Sequence, residues 1–233
     1  MIRGVLFDLD GTLVNTLEDI AHAMNRALQQ HGLPGYAADA YRYMVGNGAR
    51  ILAQRAVGEH PELAEAVLAD YQAYYGTHAM VLSRPYAGIP ELLKELRARG
   101  LRCMVFSNKP DADTCHVISH YFGDEVFSQV RGQRSGVPLK PDPTAALEMT
   151  QKEGFAPDEM LYLGDTSVDV TCARNAGMHA VGVTWGFRER QELVEAGAAH
   201  VIDRPLDLIG ILESLDPKND GSQEGMTDEA TKL

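Results

Sequence analysis

Ile2-Arg3-Gly4-Val5-Leu6-Phe7-Asp8-Leu9-Asp10-Gly11-Thr12-Leu13-Val14 sets an apolar run directly against two carboxylates. Residues 3–9 read as a strand, and its nearly continuous apolar character fits burial on both faces, as in a parallel sheet. A buried strand ordinarily ends in a neutral turn. This one ends in Asp8 and Asp10, two positions apart and so on one face of an extended chain. Two carboxylates crowded into one pocket repel each other, and a divalent cation removes the conflict. An all-oxygen environment favours Mg²⁺, which takes one or two carboxylates and keeps several waters.

Three further clusters repeat the pattern. Ser107-Asn108 closes the run Cys103-Met104-Val105-Phe106, Lys140-Pro141-Asp142-Pro143 forms a loop, and Gly164-Asp165-Thr166-Ser167-Val168-Asp169 closes Met160-Leu161-Tyr162-Leu163. Each alone has an ordinary explanation: a turn, a solvated loop, or a helix cap with Asp in the first turn. Their common placement at strand ends is harder to explain by capping, because in an open α/β sheet the carboxyl ends of the strands form the ligand crevice. Asp165 adds a carboxylate to the cation site, and Asp169, one helical turn on, can orient Asp165 or a metal-bound water. Ser107, Asn108 and Lys140 supply a hydroxyl, an amide and a fixed positive charge, a donor set suited to a tetrahedral phosphate. Phosphoryl transfer is mostly positioning and charge stabilisation, and a carboxylate can serve as its nucleophile. Asp8 is the better placed nucleophile, with Asp10 as the acid and then the base.

Between the first strand and about residue 83 no good strand is found. A helix follows Asn15 or Thr16, carrying Leu17, Ile20, Ala21, Met24, Ala27 and Leu28 at helical spacing, and three further helical stretches follow: around Tyr41 to Val45, from Gly48 to Val57, and from Pro61 to about His78. Alternation of strand and helix resumes at Tyr86, with strands expected at 101–106, 126–130, 160–163 and 180–183. Repeated strand–helix units force a parallel sheet with right-handed crossovers. Gly11, Val14-Asn15 and Ser83-Arg84-Pro85 flank the helical insert as natural hinges. Residues 216–233, polar and poor in apolar side chains, read as a disordered tail.

The chain has 233 residues and a formal net charge of −12, with no basic block. It should therefore repel nucleic acid and anionic membranes, and an anionic substrate must be captured by local groups and a cation. Three cysteines without a CxxC pair read as reduced thiols, and with neither a signal-like nor a spanning segment evident, a cytoplasmic location is expected. The eight histidines show no tight metal spacing.

The order Asp-x-Asp-Gly-Thr, Ser-Asn, Lys-Pro, Gly-Asp-x-x-x-Asp resembles the haloacid dehalogenase superfamily of hydrolases, over about residues 1–215. The resemblance implies a Rossmann-like parallel five-stranded core formed by 1–14 and 84–215, with a helical cap inserted at 15–83. It implies Asp8 as nucleophile and Asp10 as general acid/base. It implies Mg²⁺ held by Asp8, the backbone carbonyl of Asp10 and Asp165, with Asp169 in support, and phosphate held by Ser107, Asn108 and Lys140. Dehalogenases of the superfamily lack the second acid, so Asp10 argues against carbon–halogen chemistry.

Val45-Gly46-Asn47-Gly48-Ala49-Arg50, Ser107-Asn108-Lys109-Pro110 and Val183-Thr184-Trp185-Gly186 are similar to the phosphoglycolate phosphatase-like subgroup. The expectation is an Mg²⁺-dependent phosphatase of a small phosphorylated metabolite, 2-phosphoglycolate being one candidate, in a monomer or homodimer. Arg50 is the candidate partner of a substrate carboxylate. A phosphomutase, a pyrophosphatase and a retired catalytic core that only binds remain alternatives at this level.

Overall fold

The structure, a computed structural model, describes residues 1–215. The tail expectation for 216–233 lies outside the described residues. Six parallel strands form the main sheet: β1 (Gly4–Phe7), β4 (Arg102–Pro110), β5 (Gln129–Gln133), β6 (Met160–Gly164), β7 (His179–Val183) and β8 (His200–Ile202), in the order β5-β4-β1-β6-β7-β8. A separate two-stranded ribbon pairs β2 (Val14–Asn15) antiparallel with β3 (Arg84–Pro85). β1 lies centrally and is wholly buried, as its unbroken apolar run requires.

The helices of the core are α4 (Ile89–Ala98), α5 (Asp111–Phe122), α6 (Thr144–Lys152), α7 (Ser167–Ala176), α8 (Arg190–Glu195) and α9 (Asp207–Ser214). They carry their apolar residues inward at helical spacing; α4, for example, buries Ile89, Leu92, Leu93 and Leu96. Between β2 and β3 lie α1 (Leu17–Gln30), α2 (Ala49–Ala56) and α3 (Ala64–His78), with a 3₁₀ turn at Ala38–Tyr43. α1 packs against α3, and Tyr41, Val67, Tyr71 and Tyr75 join the same buried cluster as the sheet residues Val5, Phe7 and Val105. No helix among the described residues is long and apolar enough to cross a membrane.

The α/β parallel architecture agrees with the sequence reading, with differences in detail. The sheet has six strands rather than five. β8 is a three-residue edge strand, too short for a sequence period to register. The strand expected at 126–130 begins three residues later, because Phe127 is used as a core side chain before the chain joins the sheet. β4 continues through Ser107 to Pro110 with an irregular register between Phe106 and Pro110. Bulges of this kind re-aim side chains beside functional sites. The expected hinge segments Val14-Asn15 and Ser83-Arg84-Pro85 are tied together. Beyond the β2–β3 pairing, the Asp19 carboxylate accepts from the Leu82 and Ser83 amides and from Ser83 Oγ.

Candidate active site

Register explains why the four clusters meet. Phe7 lies level with Val105 on one side and Leu163 on the other, so Asp8, Ser107 and Asp165 leave the sheet at nearly one height. The Asp8 amide donates to Leu163 O at 2.9 Å, extending the ladder one residue beyond β1.

Lys140 reaches into this junction from its loop. Its Nζ donates to Asp8 Oδ1 at 2.7 Å, Asp169 Oδ1 at 2.7 Å and the Phe106 carbonyl at 3.2 Å. All three ammonium protons are therefore used. Asp169 Oδ2 accepts from Thr166 Oγ1 at 2.7 Å and the Thr166 amide at 3.2 Å, which also caps α7. Asp165 Oδ2 accepts from the Phe187 amide at 2.7 Å, and Oδ1 lies 3.4 Å from Thr12 Oγ1. Gly11, at φ +86°, and Gly186 pack so tightly on Asp165 that a Cβ at either would collide with its side chain.

Asp8, Asp165 and Asp169 each offer a carboxylate oxygen within 4.8 Å of the others, and all three are buried. Ionised, they carry three negative charges against the ammonium of Lys140, which pairs with Asp8 and Asp169, and the weaker influence of Arg188 on Asp165. The imbalance appears in their acidity. Burial, followed in size by the opposing pull of Lys140 and the repulsion of Asp169, leaves the Asp8 carboxyl raised to about 7. Burial, then Asp169 and Asp8, pushes Asp165 well above the usual carboxylate range. Lys140 is held above its ordinary value: burial opposes its charge, but Asp169 and Asp8 outweigh it. Hard oxygen donors, three buried acids and a shortfall of positive charge are what a small divalent cation satisfies, so the donor set fits Mg²⁺.

The expected site residues fall into three groups. Asp8, Lys140, Asp165 and Asp169 come together. Ser107 and Asn108 line the same cleft, but Asn108 is committed to structure: its Nδ2 donates to Gly46 O at 3.0 Å and Lys140 O at 3.1 Å, and its Oδ1 accepts from the Lys140 amide at 2.8 Å. The Asp10 carboxylate turns away from the other three acids, towards Lys109 Nζ at 3.0 Å and Thr16 Oγ1 at 2.7 Å. Arg50 is not brought to the cleft. It is 61% exposed and ion-paired with Glu65, because on α2 its neighbours Ala49 and Leu52 take the cleft face.

Sequence reasoning passed over Lys109. It is buried, and its Nζ also donates to Tyr75 Oη at 2.9 Å. The signal was present in Ser107-Asn108-Lys109-Pro110, but a lysine after a strand ordinarily reads as solvated. Arg42 and Arg188 were also missed. Arg42 donates to Phe187 O at 3.1 Å and Gly186 O at 3.2 Å, and Arg188 donates to Val45 O at 3.1 Å, so the helical insert is tied to the segment that follows β7.

Comparison with known proteins agrees with this geometry. The family model for haloacid dehalogenase-like hydrolases matches residues 5–183. A phosphoglycolate phosphatase of Haemophilus influenzae is 33% identical over 215 residues, covering 88% of this chain and 96% of that protein. Phosphoglycolate phosphatase 1 of Pseudomonas aeruginosa is 33% identical, covering 89% of this chain and 78% of that protein. Among solved structures, a chain from Haemophilus somnus described as a predicted phosphoglycolate phosphatase superposes with TM-score 0.85 at 30% identity, over 91% of this chain and 98% of that one. The chain belongs to the haloacid dehalogenase-like hydrolases. Its similarity to phosphatases over nearly its whole length makes it a phosphoric monoester hydrolase.

Proposed function

We propose that this hydrolase cleaves a small phosphate monoester, with 2-phosphoglycolate the leading substrate, through a phosphoryl group carried on Asp8. The observation that supports it best is the gathering of Asp8, Asp165 and Asp169 within 4.8 Å, with Lys140 ion-paired to two of them. Asp8, Asp165 and the backbone carbonyl of Asp10 would hold Mg²⁺, with Asp169 beside them. Bound there, the ion would neutralise the acids and the charge on the phosphoryl oxygens.

In the first step Asp8 attacks phosphorus. The bond from phosphorus to the ester oxygen breaks as the bond to the carboxylate forms, and Asp10 gives its proton to the leaving alkoxide. In the second step water attacks phosphorus and loses its proton to Asp10, and the bond to Asp8 breaks. Lys140 fixes Asp8 Oδ1 in place, and Ser107 and Asn108 border the phosphate position. Asn108 also links that border to Gly46, so its amide positions the insert as well as the Lys140 loop.

The same reading assigns 1–14 and 84–215 to a catalytic core and 15–83 to a cap that closes over the substrate and excludes water. Gly46 and Gly48 border the cleft from the cap, where backbone can come close to a small ligand. Free cysteines at 103, 115 and 172 suit a cytoplasmic setting.

The test is phosphate release from a panel of esters with Mg²⁺, repeated with chelator and with Asp8→Asn. The reading expects turnover of 2-phosphoglycolate that chelation and Asp8→Asn each abolish. Turnover by Asp8→Asn at the parental rate would overturn it.

A further inference from the structure

We infer that Lys109 recognises a second anionic group on the substrate, a carboxylate two bonds beyond the bridging ester oxygen. The inference rests on the phosphatase reading above and adds to it the residue that selects the substrate class.

Among the described residues, two cationic side chains border the cleft, Lys140 and Lys109. Lys140 is committed: three acceptors use its three protons, and it sits where the phosphoryl group must be received. The wall contributed by the insert is Ile20, Val45, Gly46, Gly48, Ala49, Leu52 and Tyr71. The backbone at Gly46 and Gly48 brings no formal charge, so a substrate carboxylate against this wall would be desolvated without a counter-charge. A second negative charge on the substrate is met best there by a cation. Lys109 Nζ also has three acceptors, but two of them are the oxygens of the single Asp10 carboxylate, so it can release one and still hold Asp10.

Its position suits the task. Lys109 Nζ lies 3.0 Å from both oxygens of Asp10, the group assigned to protonate the leaving oxygen. With Asp10 placed against the bridging oxygen, the ammonium is the next polar group, two hydrogen bonds from that oxygen through Asp10. In 2-phosphoglycolate the carboxyl carbon lies two bonds past that same oxygen. Lys109 can turn to such a carboxylate without stranding Asp10, which keeps its 2.7 Å bond from Thr16 Oγ1.

Tyr75 of α3 holds the ammonium at 2.9 Å through its hydroxyl, and the ammonium lies 4.5 Å from the ring centroid. The cation is therefore held in part by the insert, and recognition depends on α3 being in place.

The experiment compares 2-phosphoglycolate with ethyl phosphate, which has a methyl group in place of the carboxylate, on the wild type, Lys109→Met and Lys109→Arg, all with Mg²⁺. The readout is the ratio of the two kcat/KM values. Any loss common to both esters, from disturbing Asp10, cancels in that ratio. We expect Lys109→Met to lower the ratio about 100-fold, equal to about 2.7 kcal/mol of discrimination, and Lys109→Arg to recover most of it. Should Lys109→Met lose its cooperative thermal transition, Lys109→Gln takes its place with the same expectation. Equal losses on both esters would overturn the inference and leave Lys109 as a support for Asp10. A wild type that hydrolyses ethyl phosphate without preferring the carboxylated ester would overturn it while leaving the phosphatase reading intact. A wild type inactive on both would remove both.

Discussion

The sheet side of the cleft and its helical side are built from different materials. The sheet side holds Asp8, Lys140, Asp165 and Asp169 in one buried cluster, each side chain fixed by at least one hydrogen bond. The helical side presents mainly aliphatic side chains and glycine backbone, and it meets the sheet through a few long polar arms: Arg42 onto Gly186 and Phe187, Tyr75 onto Lys109, and Gly46 O receiving Asn108. A rigid frame of charges suits a reaction whose catalysis is mostly positioning and electrostatics. A surface attached by a handful of hydrogen bonds suits opening, closing and choosing. The comparison predicts that changes on the sheet side remove the reaction or destabilise the fold, whereas changes on the helical side alter affinity and preference.

The largest effect is expected for Asp8→Asn, a loss in kcat of roughly 10⁴-fold or more on every ester, measured as phosphate release. A loss confined to some esters would blur the division between the two sides. Next comes Lys140→Met. It leaves buried acids without their cation, so we expect destabilisation of roughly 3–5 kcal/mol in urea unfolding, partly restored by Mg²⁺. A wild-type midpoint without Mg²⁺ would mean that the acid cluster needs no positive partner.

The third effect is one of pH. In the folded chain Asp8 keeps its proton to about 7, while in the unfolded chain it loses it near 3.8. Between these values the folded state binds more protons, so stability without Mg²⁺ must fall as pH rises through that window. Asp165 is raised and acts in the same direction. Melting temperatures from pH 5 to 7.5 should decline more steeply for the wild type than for Asp8→Asn, and Mg²⁺ should stabilise more at pH 7.5 than at pH 5. Parallel slopes would contradict the raised Asp8.

Arg42→Ala should raise KM about tenfold by removing two charge-assisted bonds between the insert and the segment after β7, with kcat changed much less. A kcat collapse would place Arg42 with the sheet group. The smallest effect is expected for Arg50→Ala. Its exposed pair with Glu65 contributes no more than about 1 kcal/mol, and the preference for a carboxylated ester should not move. A changed preference would return Arg50 to the substrate.

Much of the sheet side was legible in the sequence. Acid, hydroxyl and amide at the ends of apolar runs are costly unless used, so Asp8, Ser107, Asn108 and Asp165 stood out. Parallel register then brings residues at equivalent strand ends to one height without further information. The helical side was less legible because its roles depend on which face of a helix turns inward. Arg50 follows a glycine-bearing loop in sequence, yet one helical step points it at solvent beside Glu65. Lys109 follows a strand in sequence, yet the irregular continuation of β4 carries it inward to Asp10 and Tyr75. Asp10 lay two residues from Asp8, and alternation alone placed the pair at one site. The turn through Gly11 and the pull of Lys109 and Thr16 separate their carboxylates into two roles. The ribbon of β2 with β3 is two residues on each side, below what any period can reveal.

The central claim is that Asp8 carries the phosphoryl group. It is tested most directly by quenching the enzyme in acid during turnover of its best ester, reducing acyl phosphate with borohydride, and locating the reduced side chain by peptide mass spectrometry. The account predicts reduction at position 8 alone, dependent on both Mg²⁺ and substrate. Reduction at Asp10, Asp165 or any other carboxylate, with Asp8 untouched, would contradict it.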